Sequence, residues 1–177
     1  MKKNDGCLSK AGDALETARE ETQRLGRMVS GMVSLASMSV TGENRKRVDF
    51  AALILKSAEA LRTVLERQHN SLTVEIAPGL PDVFIENDRF TQVIESLLIS
   101  SACHTRDGKI TVRVDFDDGY ITVCVTDTGE DALADMICKT VVEAHGGTIK
   151  MENETDRGTA VRFTVPVYGG QEAGHNL

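Results

Sequence analysis

The chain has 177 residues, 27 acidic against 20 basic, for a formal net charge of −7 and a hydrophobic content of 41%. That mixture is globular and allows one main domain plus an extra element, while the acidic balance, with no basic run beyond Arg45 to Arg47, excludes the positive field of a nucleic-acid binder. No apolar stretch approaches the roughly 18 residues of a membrane span and the N-terminus lacks a signal-peptide core, so neither direct membrane insertion nor export is expected, and the chain reads as cytoplasmic.

Leu15, Ala18, Thr22, Leu25, Val29, Met32 and Ala36 recur at steps of three and four, which predicts a long N-terminal helix over 9–41 with a narrow, weakly apolar seam. Such a seam pairs with a second copy or lies against its own domain; the homodimer is the expected partner. Gly42 and the polar run Glu43 to Arg47 read as a linker into a second domain over 48–168. Asp49 is an N-cap for a helix reaching about His69, with Leu53, Ala60, Leu61, Val64 and Leu65 as its buried face.

The period then changes. Leu72, Val74 and Ile76 alternate, Pro78 to Pro81 turns the chain, and Val83 to Ile85 offers a short strand. A helix from about Asp88 to Ala102 carries the core stripe Phe90, Val93, Ile94, Leu97, Leu98 and Ser101, leaving Gln92, Ser96, Ser100 and Cys103 on another face. Alternating residues on either side of Asp117 to Gly119 predict a hairpin, Ile110 to Phe116 and Ile121 to Val125. A further helix from about Ala132 stops at Gly146 and Gly147, two strands follow at about 148–153 and 159–167, and 169–177 is a flexible tail. The order predicts an α+β fold: a two-layer sandwich with helices on one face of a mixed sheet, preceded by the long helix.

Cys7, Cys103, Cys124 and Cys138 form no C-x-x-C pair and no zinc-ligand spacing with histidine, so buried, reduced thiols are expected and no metal site is assigned. His69, His104, His145 and His175 are absent from the N-terminal helix; His104 and His145 read as structural.

Four segments in order, "DRFTQVIESLLISSACHT", "VTDTGED", "ICKTVVEAHGGTI" and "RGTAVRFTVPV", resemble the sensor histidine kinases of the GHKL ATPase superfamily, and "ETQRLGRMVSGMVSLASM" resembles the second helix of that family's dimerisation domain. The resemblance spans about Ser9 to Val167 and implies the histidine kinase-like ATPase fold, with ATP and magnesium as cofactors. It places Ser96, Ser100, Asp127, Gly129 and Thr159 at nucleotide-binding positions. Asp127 stands where the family accepts the adenine amino group, Gly129 where a glycine lets backbone approach the base, and Thr159 where a residue frames adenine.

The departures fall on the phosphate side. Both Asn positions of the family's Asn box are Ser96 and Ser100, the second being the magnesium ligand, and its Lys is Cys103. Asp131 replaces a second glycine, Ala132 to Asp135 align with a G-L-G-L box, and no lid separates the two boxes. Glu95, one residue from the position of a water-activating Glu in other superfamily members, reads as a solvated face residue. A two-component signalling domain is therefore expected, with ATP–magnesium binding weak or absent, no catalytic residue assigned and no autokinase activity. The alternatives are an active kinase domain acting on a His elsewhere, and a non-catalytic module that binds a kinase or response regulator. A phosphotransfer protein would need a phosphorylatable His on an exposed helix, and 9–41 contains none.

Overall fold

A computed structural model of the chain describes Thr22 and residues 44–129, 136–154 and 158–167, the side chains of 136, 137, 153 and 154 aside. The chain divides into two compact units, Met1–Met38 and Ser39–Leu177. The expected N-terminal helix over 9–41, the Asp131 to Asp135 segment and the tail lie outside the described residues, Thr22 excepted, which is helical.

The second unit contains strand β1 (Lys46–Val48), helix α1 (Phe50–Glu66), β2 (Ser71–Ile76), β3 (Val83–Ile85), α2 (Asn87–His104), β4 (Lys109–Asp117), β5 (Tyr120–Asp127), α3 (Met136–Ala144), β6 (Ile149–Glu154) and β7 (Gly158–Pro166). The main sheet has the order β2-β4-β5-β7-β6. Only β2 and β4 run parallel; the other pairs are antiparallel, so the sheet is mixed as the element order predicts. Helix α2 packs on β4 and β5, and α3 on β6 and β7.

Local rules explain most boundaries. Asp49 caps α1, its Oδ1 accepting the Ala52 N–H at 3.0 Å. Asp118 and Gly119 take φ of 48° and 78°, the paired left-handed geometry of a two-residue hairpin, with Asp117 opposite Tyr120. Gly146, at φ 77°, ends the turn after α3, where the Gly147 N–H donates back to the Val142 carbonyl at 3.0 Å.

Two sequence expectations change. Lys46 and Arg47 are not linker but the start of strand β1, which pairs antiparallel with β3 in a separate two-stranded sheet. The buried face of α1 is Phe50, Leu53, Ile54, Ser57, Ala58 and Leu65, with Leu61 partly buried against the core; Ala60 and Val64 are exposed. The α2 stripe is as expected, with Phe90, Val93, Ile94, Leu97, Leu98 and Ser101 all buried. Of the described thiols, Cys138 is buried and Cys103 and Cys124 are half-buried, and none of the three is in a disulfide.

Phe90, fully buried, ties these elements together. Its ring lies edge-on to Phe50 of α1 at 5.9 Å and to His145 at 4.9 Å, and 6.5 Å from Phe163 of β7. His145 is structural, as expected. Its Nδ1 donates to the Val141 carbonyl at 2.8 Å while Nε2 accepts the Glu86 N–H at 3.3 Å, which fixes one neutral tautomer. Burial holds its pKa below the usual histidine value, with Arg45 and Arg89 adding in the same direction against the opposing Val141 bond and Glu86. No described helix is long and apolar enough to cross a membrane.

Phe90→Ala should lower unfolding free energy by about 3–5 kcal/mol, since it empties the junction of α1, α3 and β7; chemical denaturation at neutral pH measures it. His145 makes a second, pH-dependent contribution. Because its folded pKa is lowered, the unfolded chain takes up a proton that the folded chain refuses as pH falls below about 6.5, so stability is lost on acidification. The penalty of His145→Asn should accordingly be larger at pH 7.5 than at pH 5.5. A gap between variant and parent that is the same at both would show that folding does not lower the His145 pKa.

Candidate functional site

The end of β5 provides the site. Ile121, Val123 and Val125 face the core, and the period of two turns Asp127 to the same side, where it is 6% exposed. Its Oδ1 accepts the Gly129 N–H at 3.0 Å, closing a tight turn. Thr159 of β7 lies opposite Asp127 in the ladder and is 3% exposed.

Glycines let three backbones meet here. Gly158 has φ 94°, and a Cβ there would stand 1.9 Å from the Asp127 carbonyl oxygen. A Cβ on Gly129 would stand 2.5 Å from the carbonyl oxygen of His104, so the turn is seated on the C-terminus of α2. Thr128 completes the wall, its Oγ1 accepting the Lys109 N–H at 3.2 Å.

The structure thus brings Asp127, Gly129 and Thr159 into one corner. Ser100 is buried on α2 one turn before His104, and Ser96, half-buried, lies one turn earlier still. These two follow α2 away from the corner. Cys103 is half-buried beside them. Glu95 departs from expectation: it is half-buried and lines a cavity of about 330 Å³ between α1 and α2, with Asp49, Lys56, Asn87 and Thr91. It is therefore turned toward α1 rather than standing on a solvated face.

Unmet polar atoms concentrate at the corner. Among the described residues five buried side-chain atoms lack a hydrogen-bond partner, and three of them, His104 Nε2, Thr105 Oγ1 and Thr159 Oγ1, belong to the end of α2 and the start of β7. Buried donors and acceptors ordinarily find partners, so these atoms keep unmet hydrogen-bonding capacity. Among the described residues no group of three or more His, Cys, Asp or Glu is placed to hold a metal ion. Sequence reasoning missed Thr128, Gly108 and Asn70, which support the corner through backbone bonds that no motif marks.

No family model matches the chain. It is 30% identical over 183 residues to the sensor histidine kinase ZraS of Klebsiella oxytoca, an alignment covering 90% of this chain and 39% of that protein. The chain therefore spans about two fifths of that relative's length. It shares its fold with the catalytic domain of histidine kinase ThkA, with a TM-score of 0.62 at 18% identity over 69% of this chain and 95% of that one. Full-length ShkA in complex with AMPPNP superposes with a TM-score of 0.69 at 18% identity, over 87% of this chain and 38% of that one. By sequence similarity along nearly its whole length and by the fold of its second unit, the chain carries a histidine kinase-type (GHKL) ATPase domain.

Proposed function

We propose that this chain is the ATP-binding-type domain of a cytoplasmic two-component signalling protein in which ATP–magnesium handling is impaired or lost and which has no autokinase activity of its own. The observation that carries the reading is the contrast between two ends of one site. Asp127, Gly129 and Thr159 meet in one corner, with the buried Thr159 hydroxyl unpartnered, which supports a purine there. The position that the family uses for a magnesium ligand carries Ser100, and its phosphate-side Lys is Cys103.

When bound, ATP would supply a phosphoryl group, and its transfer depends on positioning and charge neutralisation around the γ-phosphate. Asp127 would hold the adenine amino group and Thr159 would face the ring edge. Ser100 offers a hydroxyl where a hydrated cation takes a carbonyl oxygen, and Cys103 brings no positive charge. Asp131 and Asp135 add negative charge in the segment aligned with the family's glycine boxes.

A second reading is an active domain that phosphorylates a His in another chain or segment. The likeness to ShkA, solved with AMPPNP, favours it. Titration calorimetry with ATP–magnesium, ADP and adenosine separates the two. Adenosine should bind within about tenfold of ATP–magnesium, and Asp127→Asn should weaken adenosine by about tenfold. Micromolar ATP binding that requires magnesium and falls when the γ-phosphate is removed would restore the enzyme.

The partners belong to the same proposal: a second copy through the 9–41 seam, and a kinase or response regulator. Light scattering of the full chain should give twice the monomer mass, and a monomer at high concentration would remove the homodimer.

A further inference from the structure

Helix α1 ends in a left-handed turn at His69, φ 58°, and the following residue, Asn70, is carried into the interior. Its backbone N–H donates to the Leu65 carbonyl at 3.1 Å, and only 3% of it is exposed. Both ends of its carboxamide are used. Nδ2 donates to the Thr105 carbonyl at 2.7 Å, and Oδ1 accepts the Gly108 N–H at 3.1 Å. These partners fix the amide's orientation, since the flipped group would set oxygen against oxygen and nitrogen against N–H.

The loop held in this way, between α2 and β4, is the wall of the Asp127 corner. Thr105 directly follows His104, whose carbonyl oxygen fills the space that a Gly129 Cβ would need. A Cβ on Gly108 would stand 2.3 Å from Thr128 Oγ1, and the next residue, Lys109, donates its N–H to that oxygen. The Ser71 N–H holds the Gly108 carbonyl at 2.9 Å from the far side. A single buried amide in the turn between α1 and β2 therefore sets the two surfaces between which the Thr128–Gly129 turn is seated.

We infer that Asn70 is a positioning residue for the nucleobase corner, pinning Thr105 and Gly108 so that the His104 carbonyl and the Thr128 hydroxyl hold Gly129 and Asp127 in place. The ligand half of this inference rests on the purine reading proposed above; the positioning half stands on hydrogen bonds within the chain. Loss of the amide removes two buried bonds from the loop and leaves the β4–β5 ladder its own partners.

The test uses the full chain, Asn70→Ser, and Asn70→Asp, which keeps an acceptor for Gly108 and loses the donor to Thr105. Cooperative thermal unfolding establishes that each variant folds. Amide hydrogen exchange by NMR should then speed by about tenfold at Gly129 and Lys109 in Asn70→Ser, with β4–β5 ladder amides at parental rates. Adenosine affinity should fall by about tenfold in both variants. Unchanged protection at Gly129 and Lys109 would overturn the inference, as would acceleration by one common factor across the ladder. So would faster exchange at Gly129 with parental adenosine affinity. A parent chain that does not bind adenosine would overturn the purine reading alone, and the exchange rates would still decide the role of Asn70.

Discussion

The covered face of the sheet fixes where the chemistry goes. Helices α2 and α3 lie on one face, so each strand commits alternate residues to the interior, and in β5 these are Ile121, Val123, Val125 and Asp127. The carboxylate is buried because the valines before it are. A one-residue slip of register would expose all three apolar residues and bring Thr126 inward instead. The same parity in β7 aligns Thr159 with Val161, Phe163 and Val165 and places it opposite Asp127. The other face stays wet, with Arg113 bonded to Glu75 across β4 and β2. That exposed pair contributes little to stability and nothing to the position of the corner.

The glycines of the corner answer first to packing. Gly129 is required by the His104 carbonyl oxygen and Gly158 by its left-handed φ and the Asp127 carbonyl. Asp127 likewise has a local task, accepting the Gly129 N–H that closes the turn. A D-x-G sequence at this strand end is thus explained without a ligand. The atoms that packing leaves unexplained are the unpartnered ones, above all Thr159 Oγ1.

Features governed by neighbouring residues were legible in the sequence: the Asp49 cap, the Asp118-Gly119 hairpin, the Gly146 stop and the α2 stripe. The face of α1 was not fully so, because Ala60 and Val64 continue the same helical spacing as Leu53 and Leu61. What decides between overlapping stripes is the helix it meets, and the cavity between α1 and α2 leaves Ala60 at its lip. Strand β1 was hidden for a related reason. Lys46 and Arg47 look like linker, and their strand geometry comes from pairing with Ile85 and Phe84, far along the chain. Asp127, Gly129 and Thr159 were found through family resemblance; Asn70 was found by neither route, since its partners Thr105 and Gly108 lie 35 and 38 residues away.

Charge divides the site along α2. A nucleobase needs complementary hydrogen bonds and little charge, which suits one carboxylate beside neutral hydroxyls and backbone. A triphosphate needs cations. Between Arg89 and Arg106 the sequence of α2 and its cap contains no Lys or Arg, and Arg89 is bonded to Glu86 at 2.7 Å. With a net charge of −7 the chain supplies no general attraction to compensate. On the function proposed above, substituting Ser100 alone would not be enough, because Cys103 would still stand where the family has Lys. On the same proposal, phosphate recognition would need at least a metal ligand and a cation together, and neither change would touch the packing of the Asp127 corner.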